Sequence, residues 1–472
     1  MMSKTTNTEL LSQLTTMKNT HIMAGSASAE LRKDRLLRAA KLITENHKAI
    51  NEALNHDFGH RSDYQSLSVD ILTTVTMLRH AAEQVHEWMK PEHVKAPLPG
   101  MQTWIEQQPL GVVGIISPWN FPINLAFGPL AGVFAAGNTA MLKPSELTPQ
   151  TSELLANLIP QYFLPDELQV VLGDADVGQA FSALPFDHLI FTGSTTVGKH
   201  VMRAAAENLV PVTLELGGKS PVFIDEDADM ALAMARTLTI KTFNAGQICL
   251  SPDYLLVPQD KVHELVDTAR IFMSQSFPTV QANPDYTAII SPRHFDRLVM
   301  LLNDARQKGA TVISLAPEGE ADFDTTTRKI SPHLVLNVSD DMLIMQEEIF
   351  GPLLPVKTFS KSSEAISWIN AHPRPLAAYY FGNDRVNQAN FIANTTSGAV
   401  VINDVMTHAA IESLPFGGIG PSGMGAYHGV HGFRRFSHQK PVVVQNAEGE
   451  SNLRLRAPYQ DKAAAILAYL RG

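Results

Sequence analysis

Between residues 111 and 216, short β-rich runs and helical runs follow one another without a break. Gly111 to Ser117 reads as a strand, Asn124 to Ala136 as a helix, Thr139 to Leu142 as a strand and Gln150 to Phe163 as a helix. The series continues with a strand at Gln169 to Leu172 and a helix over Val177 to Leu184. The strand His188 to Phe191, a helix over Thr196 to Glu207 and the strand Pro211 to Leu216 complete it. Strands joined by short helical crossovers pair in parallel with right-handed connections, so this stretch is expected to form a doubly wound α/β sheet.

A second α/β series begins near residue 217, with strands expected at Pro221 to Ile224, Tyr254 to Val257, Leu354 to Phe359, Ala377 to Phe381 and Ala399 to Ile402. From 403 the chain is punctuated by Gly and Pro and ends in the apolar run Lys440 to Gln445. With Met101 to Gln107, that run is expected to form a small protruding sheet for subunit contact. Apolar residues at Leu36, Ala40, Ile43, Ile50 and Leu54 predict one amphipathic helix over 28 to 59. The expected division is 1–92 with 111–216, then 217–420, with 93–110 and 421–447 as bridging elements. Residues 448–472 are expected as an extension carrying a surface-packed helix. At 472 residues, roughly three domains are anticipated.

Charge and cysteine content narrow the function classes. The chain carries 37 Lys and Arg against 47 Asp and Glu, a net charge of -10, which argues against nucleic-acid or anionic-membrane surfaces. The first 25 residues lack an apolar signal segment, so a cytoplasmic protein is expected. Residues 107 to 142 contain no charged side chain, but Pro109, Pro118, Pro122 and Pro129 interrupt the stretch, and its longest apolar run is shorter than the roughly 20 residues of a membrane span. Cys249 is the single cysteine, which excludes internal disulfides and thiol-built metal clusters. The 17 histidines show no metal-binding spacing, and no metal is assigned.

Several short motifs carry candidate chemistry. Cys249 lies in Asn244-Ala-Gly-Gln-Ile-Cys249, whose composition describes an irregular polar loop, although a lone cysteine is also a common core residue. Glu215 sits between apolar residues at the end of a strand and before Gly217-Gly218. Facing solvent it is a cap, whereas buried it has a raised pKa and serves as a general base. Two prolines fix the backbone of Pro118-Trp119-Asn120-Phe-Pro122, presenting the Asn120 amide as a preset donor or simply making a turn. Lys143-Pro-Ser-Glu146 ends a strand at the carboxyl edge where such sheets bind ligands. Phe191-Thr-Gly193-Ser194 follows a strand and opens a helix, which suits a pyrophosphate but equally a capped turn. Glu347-Glu348-Ile-Phe350-Gly-Pro352 places an acid pair beside an aromatic residue.

Taken in order, these motifs together with Leu214-Glu-Leu216-Gly-Gly-Lys219 and Pro415-Phe-Gly-Gly418 resemble the aldehyde dehydrogenase superfamily over about residues 30 to 445. Asn403-Asp-Val405 with His408, and Gly423-Met-Gly-Ala-Tyr-His-Gly429 followed by Phe436-Ser-His438, resemble its class 3 branch. Phe121 to Gly128 and Gly420 to Gly425 resemble the bacterial coniferyl-aldehyde dehydrogenases within it. The resemblance implies a Rossmann-like cofactor lobe, a catalytic lobe and a small β bridging element. It implies Cys249 as nucleophile, Asn120 as oxyanion donor and Glu215 as the base for thioester hydrolysis. It places Trp119, Lys143, Glu146, Gly193, Ser194, Leu216, Glu348 and Phe350 at the cofactor. NAD is the expected cofactor, with NADP as the second dinucleotide such relatives accept. The expected substrate is an aromatic or cinnamyl aldehyde such as coniferyl aldehyde. The alternatives are a medium- or long-chain aliphatic aldehyde, a CoA-acylating enzyme or a non-catalytic relative. Tyr427 stands where the tetrameric branch commonly carries a second glutamate, and the class 3 pattern implies a homodimer.

Overall fold

The computed structural model describes residues 7–447 and 452–471. The alternating segments form a sheet with the order Gly423–Met424, Val212–Leu216, His188–Gly193, Val112–Ile116, Thr139–Lys143 and Leu168–Val170. All neighbours are parallel except the first pair, where Gly423 stands opposite Glu215 in antiparallel register. The strand order reverses between Val112–Ile116 and His188–Gly193, so a crevice opens beyond the carboxyl ends of those two strands.

The helix Asn124–Ala135 explains the long charge-free stretch: its residues from Leu125 to Ala135 are all buried. A helix apolar on every side belongs inside a protein. Gly132 permits its close approach to the helix Gly429–Arg435, because a Cβ there would lie 3.0 Å from the carbonyl carbon of Gly432.

The second sheet has the order Thr311–Ser314, His333–Leu336, Leu353–Phe359, Pro252–Pro258, Ser220–Ile224, Ala377–Phe381 and Ala399–Ile402. It is parallel apart from its first pair. Gly217, Gly218 and Lys219 lead directly from the first sheet into this one. The carboxyl ends of the first sheet's strands therefore face the amino ends of Ser220–Ile224, Pro252–Pro258 and Leu353–Phe359. A third sheet pairs Ser437–Val444 antiparallel with Gln102–Pro109, which also pairs with Glu92–His93.

Two sequence expectations need correction, and one further helix had not been anticipated. The helix expected over 28–59 is two helices, Ala29–Glu45 and His47–Phe58. Asn46 marks the break, with φ of -108° and ψ of 14°, and its side-chain amide (2.8 Å) and its N–H (3.3 Å) share the Leu42 carbonyl. The Ser/Thr-rich N-terminus is ordered from Asn7 to Ala24 as a helix that buries Leu10, Leu14 and Met17. In the C-terminal extension, of which 448–451 and 472 lie outside the described residues, the helix Gln460–Leu470 forms but packs on nothing: every one of its residues is exposed, Ile466, Leu467 and Leu470 included. Among the described residues no helix is long and apolar enough to cross a membrane.

Candidate active site

The motif residues from four strands of the first sheet gather at its carboxyl edge. Trp119 and Asn120 follow Val112–Ile116, and Lys143 ends its own strand. Gly193 and Ser194 end and follow His188–Gly193, while Glu215 and Leu216 end Val212–Leu216. From the second sheet, Cys249 precedes Pro252–Pro258, and Glu348 with Phe350 precedes Leu353–Phe359. The crevice between the sheets is where these two groups meet.

Asn120 and the cysteine loop are tied together through the backbone. The Asn120 amide donates to the carbonyl of Gln247 (3.2 Å), two residues before Cys249. Asn244 returns the bond, donating to the carbonyls of Asn120 (3.2 Å) and Gln247 (3.1 Å). A primary amide has two donor hydrogens, so Asn120 keeps one for a ligand. The loop is irregular, with φ of 49° at Asn244, 52° at Ala245 and 72° at Gly246. Only glycine fits at 246, since a Cβ there would lie 2.5 Å from the Gly351 carbonyl oxygen. The loop's polar residues are internal rather than solvated, contrary to what its composition indicated. Gln247 bonds the backbone of Asn244, Ala288 and Ile290, and the Gln65 side chain accepts from the Asn244 N–H.

Behind Asn120 lies an ion pair that the sequence reading did not single out. Arg61 and Asp70 have fully buried side chains and meet at 2.7 Å. Arg61 also donates to the Asn120 carbonyl (3.0 Å), and Asp70 accepts from the N–H groups of Ile123 (3.0 Å) and Asn124 (3.1 Å). The guanidinium is sandwiched between the rings of Phe58 (4.6 Å) and Phe121 (5.0 Å). This pair clamps both ends of the Asn120 turn.

Glu215 is buried at 3% exposure, and neither carboxylate oxygen has a hydrogen-bond partner. The solvent-facing cap is thereby ruled out. Burial pushes its pKa well above the ordinary carboxylate range, with Arg435 pulling the other way. Cys249 keeps partial exposure. Its thiol is nevertheless pushed up to about 12, first by desolvation and then by the negative charges of Glu348 and Glu215. Its own N–H and that of Leu250 oppose that rise by bonding the sulfur. Tyr427 is buried beside both Glu215 and Cys249, and burial first and those neighbours second raise its phenol; the Tyr379 hydroxyl donates to the Leu250 carbonyl (2.7 Å).

Glu348 is held at the same crevice. Its carboxylate lies over Gly217, where any side chain would collide with it, and the Gly218 N–H bonds it. Burial and Asp253 raise it to about 8 against the opposing pull of Lys219 and Arg297. Lys219 bonds Asp253 and the carbonyls of Ile344 (2.8 Å) and Glu347 (2.7 Å), Asp253 accepts from the Ile349 N–H (2.9 Å), and Arg297 donates to the Ile349 carbonyl (2.8 Å). Phe350, with φ of 52°, meets Trp119 edge-on at 5.3 Å. Farther along the crevice, the buried Lys143 ammonium bonds Glu146 (3.1 Å), and Ser194 caps the helix Thr195–Ala206. The first sheet thus offers a helix N-terminus, a free carboxylate edge and a glycine cradle, which suits a dinucleotide. Among the described residues no group of three or more His, Cys, Asp or Glu has the arrangement of a metal site.

Arg61, Asp70, Gln65, Asp253, Arg297 and Arg435 support this site without having been named from any motif, and Lys219, the last residue of a quoted motif, had been given no role. Their partners lie up to some two hundred residues away in sequence; the pairing of Gln65 with Asn244 is one case.

The Aldehyde dehydrogenase family profile matches residues 4–442. Coniferyl aldehyde dehydrogenase of Pseudomonas sp. (strain HR199 / DSM 7063) is 57% identical over 98% of this chain and 96% of its own length. Aldehyde dehydrogenase family 3 member A2 of Rattus norvegicus is 39% identical over 94% of this chain and 90% of its own. Substrate-bound Staphylococcus aureus AldH superposes with a TM-score of 0.91 at 37% identity, covering 97% of this chain and 99% of that one. The chain belongs to the aldehyde dehydrogenase family. It is an NAD(P)-dependent oxidoreductase acting on aldehydes, similar to class 3 members and to coniferyl aldehyde dehydrogenases.

Removing one partner of a buried ion pair strands the other charge, at a cost of about 3–5 kcal/mol. Asp70→Ala is expected to lose stability on that scale in urea unfolding and to lower kcat by loosening Asn120. An unchanged midpoint together with unchanged kcat contradicts the clamp.

Proposed function

We propose that this enzyme oxidises an aromatic or cinnamyl aldehyde, coniferyl aldehyde foremost, to the free carboxylic acid with NAD as the preferred cofactor. The observation that carries the chemistry is a buried carboxylate, Glu215, left without partners beside the single thiol, Cys249. The substrate class rests on the 57% identity to an enzyme named for coniferyl aldehyde. The aromatic groups Tyr379 and Tyr427 near the thiol support it, and the Phe416 ring packs 5.7 Å from that of Tyr427.

In this reading Cys249 attacks the aldehyde carbon after losing its proton. At pH 7 a thiol near 12 is ionised in roughly one molecule in 10⁵, so a neighbouring base must take that proton. Glu215, whose proton affinity burial raises well above that of an ordinary carboxylate, is that neighbour. The oxyanion of the thiohemiacetal is received by the free Asn120 amide hydrogen and the Cys249 N–H, each such donor being worth about 3 kcal/mol of barrier. The bound dinucleotide supplies the hydride acceptor. Once it has passed the thiol's proton to solvent, Glu215 takes a proton from water, whose oxygen attacks the thioester carbon. The C–S bond breaks to release the carboxylic acid and return the thiol. The same carboxylate that accepts a proton from water leaves no need for CoA, which disfavours the acylating alternative.

Trp119, Gly193, Ser194, Leu216, Glu348 and Phe350 hold the cofactor in this reading, with Lys143 and Glu146 at the adenosine ribose. The half-exposed Glu146 carboxylate accepts from a free 2′-hydroxyl and repels a 2′-phosphate, although Lys143 offsets part of that repulsion. The division into lobes is placed at Gly217–Lys219, where one sheet passes to the next.

A homodimer fits two open edges. Ser437–Val444 leaves one flank unpaired with Val443 and Val444 exposed, and Ala399–Ile402 ends the seven-strand sheet. Unpaired strands of this length are normally covered. Sedimentation equilibrium is expected to give twice the chain mass of 51.6 kDa, and a monomer at micromolar concentration refutes the pairing.

Discrimination is a ratio of kcat/KM values. Across coniferyl aldehyde, benzaldehyde, hexanal and acetaldehyde, coniferyl aldehyde is expected to lead hexanal by about tenfold or more with NAD, on the scale that a site's contacts provide. NADP is expected to serve less well, and Cys249→Ser to turn over none of the four. Equal constants for all four aldehydes contradict the substrate reading.

A further inference from the structure

Glu215 sits on the strand Val212–Leu216, and Thr213 sits two residues before it. Residues i and i+2 of a strand project to the same face, roughly 7 Å apart. The Thr213 hydroxyl is the seat of a guanidinium. Arg435 Nε donates to Thr213 Oγ1 (2.9 Å), and its Nη2 donates to the Val212 carbonyl. The hydroxyl in turn bonds His188 Nε2 (2.8 Å). His188 is buried, and desolvation lowers it to about 3, so the ring is neutral. The cation of this cluster is therefore the one on Arg435.

The opposite side of the guanidinium is shaped for it. The strand Gly423–Met424 pairs with Val212–Leu216, Gly423 opposite Glu215, and Gly425 follows immediately. Gly425 has φ of 88°, and a Cβ on it would stand 2.9 Å from Arg435 Nε. Beyond lies a cavity of 580 Å³ lined by Gly425, Ala426, His431, Arg434 and Arg435, which gives the arginine a wet rear face. An arginine with solvent behind it and a strand in front remains charged across the working pH range.

The groups facing Glu215 are few: Arg435 from the helix Gly429–Arg435, the Cys249 thiol and the Tyr427 phenol. Thiol and phenol are both neutral near pH 7, their protons held by burial. Arg435 is the charged one among them, and neither Glu215 oxygen bonds it directly.

We propose that Arg435 is a positioning residue for Glu215: seated on Thr213 at the same strand face, its fixed charge sets the pH at which the carboxylate becomes available to take a proton from water. It acts through Glu215 and touches no reacting atom. The inference rests on Glu215 being the deacylating base, and the experiment separates the two.

The readout is the pH dependence of acid release from the acyl-enzyme, measured after the first NADH is formed. A cation seated beside it favours the carboxylate, so its removal raises the pH of the rising limb, by about one pH unit for a neighbouring charge in a partly wet setting. Arg435→Gln is expected to show that upward shift with KM for NAD unchanged, and Arg435→Lys to return the limb toward wild type. A purely structural role lowers the rate at every pH and leaves the limb where it was. Should Arg435→Gln fail to fold, Thr213→Val removes the seat and keeps the charge, and it too must displace the limb. Limbs coincident with wild type in whichever of these variants folds overturn the proposal. If Glu215→Gln releases acid at the wild-type rate, the base assignment itself fails; if Glu215→Gln stalls and the Arg435 limbs do not move, Arg435 alone is misassigned.

Discussion

The buried pair of Arg61 and Asp70 is the constraint on which the site's geometry depends. Two charges taken out of water are tolerated when their surroundings supply hydrogen bonds in place of it. Here the backbone of residues 120 to 124 and two aromatic faces supply most of them, while Arg61 Nε has no hydrogen-bond partner. The pair belongs to the helical layer outside the sheets, so it fastens that layer to the turn bearing Asn120. Asn120 and Asn244 then fasten the turn to the cysteine loop of the other sheet. One electrostatic contact, passed through backbone carbonyls, thus fixes the distance between an amide donor and a thiol that belong to different sheets.

Within that frame the titrating groups are held by burial rather than by pairing. Glu215, Glu348 and Cys249 converge on one crevice, and desolvation is the largest influence on each, favouring the protonated form. Each also disfavours charge on its neighbours, so the resting site keeps its protons. A site of this kind does not carry a permanent thiolate; it carries a thiol and carboxyl groups that burial keeps protonated. That arrangement protects the only cysteine from chance oxidation, and it makes the field at Glu215, to which Arg435 contributes, a controlling quantity.

Much of the fold was legible because strand and helix periods alternate so regularly between 111 and 216; the strand limits there fall within a residue or two of expectation. The placement of the motifs at strand ends was legible too, since each begins where an apolar run stops. Other features were hidden for identifiable reasons. Leu10, Leu14 and Met17 have helical spacing, but the Ser/Thr composition around them resembles a solvated tail. Asn46 reads as an ordinary helix residue until its side chain is seen competing for the Leu42 carbonyl. The loop before Cys249 is polar in sequence and internal in space, because Gln65, Asn244 and Gln247 satisfy one another. Long-range partners such as Arg61 with Asn120, or Arg435 with Thr213, leave no local pattern in a single sequence. Whether Glu215 faces solvent or the interior was likewise open until its register against Gly423 was known.

The claim at the centre of this account is that Cys249 carries the acyl group and that Glu215 frees it. Rapid mixing of the Glu215→Gln enzyme with NAD and coniferyl aldehyde, followed by mass analysis of the acid-quenched protein, tests it most directly. The account predicts one equivalent of NADH formed in a burst, negligible turnover afterwards, and a mass increase equal to the acyl group on the peptide containing Cys249. Sustained NADH production at the wild-type rate, or a burst that leaves Cys249 unmodified, contradicts it.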